Sequence, residues 1–324
     1  MKKTDIMIGI YLLAAIVCLF ITLPSGLLDV MLAINITVAF IILFTALYSN
    51  DVLDMQAFPS MLLFTTIFRI ALNVSSTKLI LSTGNPGKVV KAFGSFVAGN
   101  DLVIGVIVFI ILLIVQLIII NKGSERVAEV TARFTLDAMP GKQMAIDADL
   151  NTGAITDKEA KIRREKLQQE ASFFGSMDGA TKYVKGDATA GIIITVINFV
   201  GGIIMGMTRR GMDISTALST YALLTVGDGL VSQIPSLLIS LSSGIVVTKA
   251  SKEVKLPELI IGELFTTPLV LRIVGIVIAV LGVVTPLPWY VFVPFHFMAK
   301  DNNYDASSIT VLEGLEAVRK RPGM

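Results

Sequence analysis

Asp228 stands between Gly227 and Gly229, deep inside an apolar stretch, and the chemistry open to a carboxylate there is to take up and release a proton. An unpaired carboxylate in an apolar medium is costly, so Asp228 must face a polar cavity or a cation, and Arg69, inside another apolar stretch, is its natural candidate partner. Asp187 sits at the mouth of a further apolar stretch. There a carboxylate either caps the first free N–H groups of a helix or joins the proton chemistry, and spacing leaves both readings open. Lys182, a few residues earlier, either pairs with Asp187 or snorkels toward lipid headgroups.

A second constellation lies in a polar stretch. Arg126, Glu129, Arg133 and Asp137 recur at i, i+3, i+7 and i+11 and share one helical face. They form either a solvated ladder of ion pairs or a charged surface for a neighbouring subunit. Asp147, Asp149, Asn151 and Gly153 invite a calcium reading, but an EF-hand loop needs glycine and glutamate where this chain has Thr152 and Lys158. Gly202 and Gly206 form a small-xxx-small pair suited to close packing. One cysteine, Cys18, and one histidine, His296, exclude a disulfide and make a zinc site or a histidine dyad untenable. No phosphate loop or nucleophile motif is present, so no catalytic residue, metal or cofactor is expected, and the chain reads as a non-enzyme. A net charge of +2 gives no footing for nucleic acid.

The elements that must position these residues are membrane helices. Of 324 residues 54% are apolar and 16% charged, and a mean hydropathy of +0.77 points to lipid as the solvent. Apolar segments run over Ile6–Leu23, Leu27–Tyr48, Phe58–Leu81, Leu102–Ile120, Ala188–Thr208, Ile214–Thr248 and Pro268–Val284, and an eighth begins near Leu287 and stops early. The fold expected is an all-α polytopic membrane protein with about seven complete transmembrane helices and a truncated eighth. Lys2 and Lys3 place the N-terminus in the cytoplasm, and four crossings return the chain there before the polar stretch Asn121–Asp187. The organisation is four crossings over 1–120, a small helical cytoplasmic loop over 121–187, the remaining crossings over 188–297, and a tail over 298–324. Gly227, Gly229 and Pro235 predict a broken or kinked sixth helix. Thr156 and Glu159 have capping-box spacing and open a short helix in the loop.

The run Gly-Ser-Glu-Arg-Val-Ala-Glu-Val-Thr-Ala-Arg-Phe-Thr-Leu-Asp-Ala-Met-Pro-Gly-Lys-Gln-Met-Ala-Ile-Asp-Ala-Asp-Leu, from Gly123 to Leu150, resembles the signature of the FHIPEP family of type III export gates. Gly175–Asp187 and Leu224–Pro235 extend the likeness, which covers about residues 6 to 295. The resemblance implies eight crossings in the bacterial inner membrane and a homo-oligomeric ring among the other membrane components of the export apparatus. It further implies coupling of the proton-motive force to export of unfolded substrates, with an export ATPase complex and substrates engaged through a cytoplasmic domain that this sequence does not include. By position it implies that Asp228, Asp187, Lys182 and Arg69 serve proton coupling or gating. For the loop it implies signature and subunit-contact roles for Arg126, Glu129, Arg133, Asp137, Pro140, Gly141, Lys142, Asp147, Asp149 and Asp178.

From Met298 onward the sequence instead resembles the start of DNA gyrase B subunits, without their nucleotide-binding residues, and points to a fused reading frame. The flagellar gate is the expected function. An injectisome gate is the alternative within the family, and a stand-alone proton-coupled transporter the alternative of another class.

Overall fold

The computed structural model describes residues 3–99, 101–249 and 256–265, together with 269, 270, 273, 274, 276 and 277. Apolar content is so high that the chain satisfies its backbone the only way lipid allows short of a closed barrel, and among the described residues there are helices and no strands. They are α1 (Lys3–Phe20), α2 (Ser25–Tyr48), a 3-10 turn (Val52–Met55), α3 (Phe58–Thr83), α4 (Lys88–Ala98) and α5 (Leu102–Val115). A π-helical stretch, Gln116–Asn121, leads into α6 (Lys122–Asn151), followed by α7 (Asp157–Arg210), α8 (Ile214–Thr248) and α9 (Leu256–Phe265). The chain forms two compact units, Met1–Leu256 and Pro257–Met324, and the functional candidates lie in the first.

Among the described residues five helical runs are long and apolar enough to cross a bilayer: Ser25–Tyr48, Val52–Thr83, Leu102–Asn151, Asp157–Arg210 and Ile214–Thr248. The shorter apolar Gly9–Phe20 precedes them. The first six expected crossings are therefore helices. Of the seventh only scattered helical residues between 269 and 277 are described, and the eighth and the tail from 298 lie outside the described residues. The helices are inside out relative to a soluble protein. On α7 the apolar Ile193, Val196, Ile197, Val200 and Ile204 are exposed, while Asn198, Gly202 and Gly206 are buried. That distribution suits a lipid-facing surface around a polar interior.

Three expectations change. The polar stretch Asn121–Asp187 is helical as expected, but far more so than one short helix. It is an antiparallel hairpin of α6 and the first half of α7, and α7 continues without a break into the membrane to Arg210. The sixth crossing is not broken, because α8 is one 35-residue helix that accommodates Pro235. The third change is α4, an amphipathic helix that no apolar segment announced.

The glycines of α8 serve contact where the sequence suggested loosening. A Cβ on Gly227 would lie 2.0 Å from the Val90 carbonyl oxygen of α4, and one on Gly229 would lie 2.4 Å from the Phe109 ring of α5. Gly94 of α4 makes the reciprocal approach, 2.4 Å from the Leu223 carbonyl oxygen. Small residues here let α4 and α8 pack backbone to backbone. Gly202 and Gly206 keep their packing role, but their neighbour is the Tyr221 ring, 2.2 Å from a Cβ on Gly202. Arg210 Nη1 donates to the Tyr221 hydroxyl at 2.7 Å, closing α7 onto α8.

The hairpin is held by a core and by cross-helix charges. Ala128 and Ala132 of α6 meet Phe173, Phe174, Met177 and Ala180 of α7, and this cluster continues into the ends of α2 and α8. Ion pairs Glu125–Lys185 (2.8 Å), Lys142–Glu170 (3.1 Å), Asp147–Arg164 (2.5 Å) and Asp149–Arg163 (3.2 Å) step down one helix as they climb the other. At the tip the expected capping box is present: Thr156 Oγ1 accepts from the Glu159 N–H, and the Glu159 carboxylate accepts from the Thr156 N–H at 2.9 Å. Those bonds hold the Glu159 carboxyl below its ordinary range.

Candidate functional site

Two buried carboxylates lie between α3, α7 and α8. Asp228, on α8, is buried, with 7% of its surface exposed. Ser76 of α3 donates its hydroxyl to Oδ1, and Asn198 of α7 donates Nδ2–H to Oδ2 at 2.8 Å. Both donors are neutral. Arg69 is not the partner the sequence suggested. It lies on α3 nearly two turns before Ser76 and forms a buried ion pair with Asp187. The side chains of that pair are 1% and 4% exposed. The 118 residues separating Arg69 from Asp187 are bridged because α3 and α7 pack along their length.

Asp187 therefore caps nothing. With α7 continuous from Asp157, no free N–H groups exist at its position, and its carboxylate answers Arg69 instead. Lys182 is not its partner either. The lysine lies one turn earlier on the exposed side and pairs with Asp178 at 2.7 Å. The hydrogen bond and charge of Asp178 raise the Lys182 pKa above the usual lysine value.

A small cavity of about 30 Å³, room for a water or two, lies between the levels of the two acids. Asp187, Gln116, Thr195, Ser232, Gln233 and Ser236 line it with polar atoms, and Gly229, next to Asp228, lines it as well. Along α7, Asn198 stands eleven residues beyond Asp187, roughly 16 Å at 1.5 Å per residue. The membrane interior thus holds a paired acid at one level, an acid held only by neutral donors at another, and polar side chains between them. Such a series can pass a proton between levels, because carboxylates take up and release one and hydroxyls and water relay it, while the amides of Gln116 and Gln233 orient the chain by hydrogen bonds.

The signature residues sit on the hairpin. Arg126 pairs with Glu129 at 3.3 Å and Arg133 with Asp137 at 3.8 Å. Glu129 thus turns to Arg126 where the spacing also allowed Arg133. All four side chains are at least 49% exposed, so these pairs add little to stability. Pro140 and Gly141 lie mid-helix in α6, exposed, where water can satisfy the carbonyl that proline leaves free. Lys142, Asp147 and Asp149 tie the hairpin together, and Asp178 holds Lys182.

Residues 15–308 match the FHIPEP family. The chain belongs to that family. It is 53% identical over 287 residues to the flagellar biosynthesis protein FlhA of Bacillus subtilis, covering 89% of this chain and 42% of that protein. It is 49% identical over 291 residues to FlhA of Salmonella typhimurium, covering 88% and 42%. Low calcium response locus protein D of Yersinia pestis is 45% identical over 293 residues, covering 90% and 42%. The chain thus spans about two-fifths of the length of these relatives. No solved structure matches it.

Ser76 and Asn198 are the site residues that the sequence reading passed over, as was Lys249. Lys249 is buried, and its ammonium grips the carbonyls of Ala46 and Ser49 at the end of α2. Asn198 carried a usable signal: it is the amide in the middle of an otherwise apolar segment.

Proposed function

We propose that this FHIPEP chain is the membrane portion of a flagellar type III export gate subunit, resident in the bacterial inner membrane, that couples proton movement to translocation of unfolded substrates. The observation that carries the reading is Asp228. It is a carboxylate inside the membrane helices held by a serine and an asparagine and, among the described residues, by no cation, so gaining a proton removes a charge that none of those residues neutralises. The Arg69–Asp187 pair then fixes α3 against α7 while the proton load on Asp228 changes.

The α6–α7 hairpin is the coupling element. Its exposed face carries Arg126, Arg133, Asp137 and a Phe134 that is 70% exposed. We assign that face to a neighbouring copy in a homo-oligomeric ring or to another membrane component of the apparatus. The hairpin's lysines and arginines favour placing it, and the N-terminus with it, in the cytoplasm. An export ATPase complex and substrates would be reached through a cytoplasmic domain of the longer protein. The 45% identity to the Yersinia protein supports an injectisome gate as the second reading. A stand-alone proton-coupled transporter gives the signature hairpin no task, and we set it aside.

The test is Asp228→Asn in a full-length gate protein carrying this membrane portion, expressed in a strain lacking its own. The amide keeps shape and hydrogen bonding but cannot ionise. Membrane insertion and assembly should persist while export falls by at least about tenfold, the scale of a lost proton-transfer group. Unchanged export would remove Asp228 from the coupling path.

A further inference from the structure

We propose that a water-filled recess, walled by α4 and by the turn between α1 and α2, opens from the membrane face opposite the α6–α7 hairpin and delivers protons to the level of Asp228. The proton role of the recess rests on the proposed function of Asp228; the recess itself rests on the heights at which the helices end.

Those heights are set by contacts. The Leu23 N–H points to Ser75 Oγ at 3.5 Å, and Lys78 Nζ donates to the carbonyls of Leu19 and Phe20 at 2.6 and 3.1 Å. The α1–α2 turn therefore lies beside Ser75–Lys78, the same stretch of α3 whose Ser76 holds Asp228. Beyond that level α7 runs on from Asn198 to Arg210 and α8 back from Asp228 to Ile214, roughly 18 and 21 Å at 1.5 Å per residue. Asn198 is also the middle of the apolar run Ala188–Thr208. The hairpin of α1 and α2 thus turns half-way through the layer that α7 crosses.

The chain after α3 descends to the same place. Gly84 lies beside the Arg210 guanidinium near the end of α7. Four residues later the Lys88 and Val89 N–H groups donate to Asp29 of α2 at 2.8 and 2.9 Å. From there α4 climbs antiparallel to α8, with Val90 against Gly227 and Gly94 against Leu223.

Two stretches of non-helical backbone, 21–24 and 85–87, consequently lie within the apolar layer, and Ile21, Thr22 and Asn85 are exposed. Exposed non-helical backbone is not tolerated in hydrocarbon and is found at membrane depth only when it lines water or is covered by protein. Lys88 and Lys91 are exposed at this level, with Asp29 between helices. Near the level of Asn198 the exposed residues of α7 include the apolar Val196, Ile197 and Val200. Phe20, Ile21 and Phe96 are also exposed around the turn and α4, so lipid and a neighbouring copy in the proposed ring are the competing occupants.

Cysteine accessibility decides between them in the membrane-embedded chain. In a Cys18→Ala background, single cysteines at Lys88, Lys91, Asn85, Ile197 and Val200 are exposed to a charged, membrane-impermeant thiol reagent applied to one face at a time. Phe134→Cys on the hairpin, labelled only from the other face, reports correct insertion. The reagent needs thiolate and hence water. Lys88→Cys and Lys91→Cys should react within about tenfold of Asn85→Cys and at least about a hundredfold faster than Ile197→Cys or Val200→Cys. Reaction of Lys88→Cys as slow as that of Ile197→Cys overturns the recess. Labelling tells the two readings apart: a reactive Lys88→Cys beside a fully exporting Asp228→Asn keeps the recess and removes its proton role. An unreactive Lys88→Cys beside an export-dead Asp228→Asn removes the recess and keeps Asp228.

Discussion

Arg69→Met leaves Asp187 as a buried charge with no counterion, and its cost is set by how the pair is built. The two side chains are 1% and 4% exposed, so water cannot replace the lost guanidinium. Removing one partner of a buried pair costs about 3–5 kcal/mol, whereas replacing both by apolar groups of similar size is often neutral or stabilising. Arg69→Met should therefore lower stability by about 3 kcal/mol or more, over a hundredfold in the folding equilibrium. The double variant Arg69→Met/Asp187→Leu should recover most of that loss, giving a coupling of at least about 2 kcal/mol in the cycle completed by Asp187→Leu. Thermal unfolding of the four proteins in one detergent, followed by intrinsic fluorescence, measures it. Export by the same variants in full-length form separates packing from function, because the double variant should fold and still export poorly. If the double variant is as unstable as the single, the charges are not each other's compensation. If it is stable and exports normally, the pair is scaffolding and has no part in coupling.

Gly227→Ala pushes a Cβ into the Val90 carbonyl oxygen, a backbone atom that cannot swing aside, and should cost about 1–3 kcal/mol and raise protease sensitivity at α4. Gly141→Ala, in the exposed middle of α6 with open space around it, should instead stabilise the hairpin by about 0.5–1 kcal/mol in the same assay. Thr156→Ala keeps the backbone N–H that is the larger cause of the depressed Glu159 pKa and removes the hydroxyl that also donates to the carboxylate. A carboxylate depressed on folding contributes stability above its unfolded pKa and loses it as pH falls through the folded value, so the variant should flatten the acid dependence of amide exchange at the hairpin tip. An unchanged dependence would mean that the backbone N–H of residue 156 alone sets the shift.

What the sequence disclosed depended on how far each feature reaches along the chain. The first six apolar segments were legible as helices because apolar runs need only their own residues, and so was the Thr156 cap, whose partner is three positions away. Arg69 paired with the wrong acid because both acids sit in apolar surroundings, and only the register of α3 against α7 and α8 puts Asp187 beside Arg69 and Asp228 beside Ser76. That register spans 118 and 152 residues, beyond any periodicity. The capping role offered for Asp187 failed for a related reason: nothing at Gly186 or Asp187 stops a helix, yet the change from polar to apolar residues looked like a start. The hairpin ladder was half legible. Its i, i+4 geometry fits pairs along one helix, but the pairs that hold α6 to α7 cross between helices and are visible only once the two are known to run antiparallel.

The glycines around Asp228 do the opposite of what composition suggests, and the difference bears on coupling. Glycine inside a helix is ordinarily a weakness, about 1 kcal/mol against alanine, so flanking an acid with two of them reads as a hinge. In the folded protein each glycine is the site of a close approach, Gly227 to the α4 backbone and Gly229 to the Phe109 ring. Asp228 therefore stands on a rigid stretch of α8 pressed between α4 and α5, with its carboxylate turned to α3 and α7. On the proposed function, this packing resists the absorption of protonation there as a local bend. Protonation would act on the contacts with Ser76 and Asn198, hence on the spacing of α3 and α7, and α7 is the same unbroken helix that forms one arm of the exposed hairpin. A change at Asp228 thus has a continuous mechanical path to the surface where partners are proposed to bind. An insertion of Gly-Gly-Gly after Val184, which would interrupt α7 between the two, should uncouple them: hairpin and membrane parts remain folded by amide exchange while export is lost.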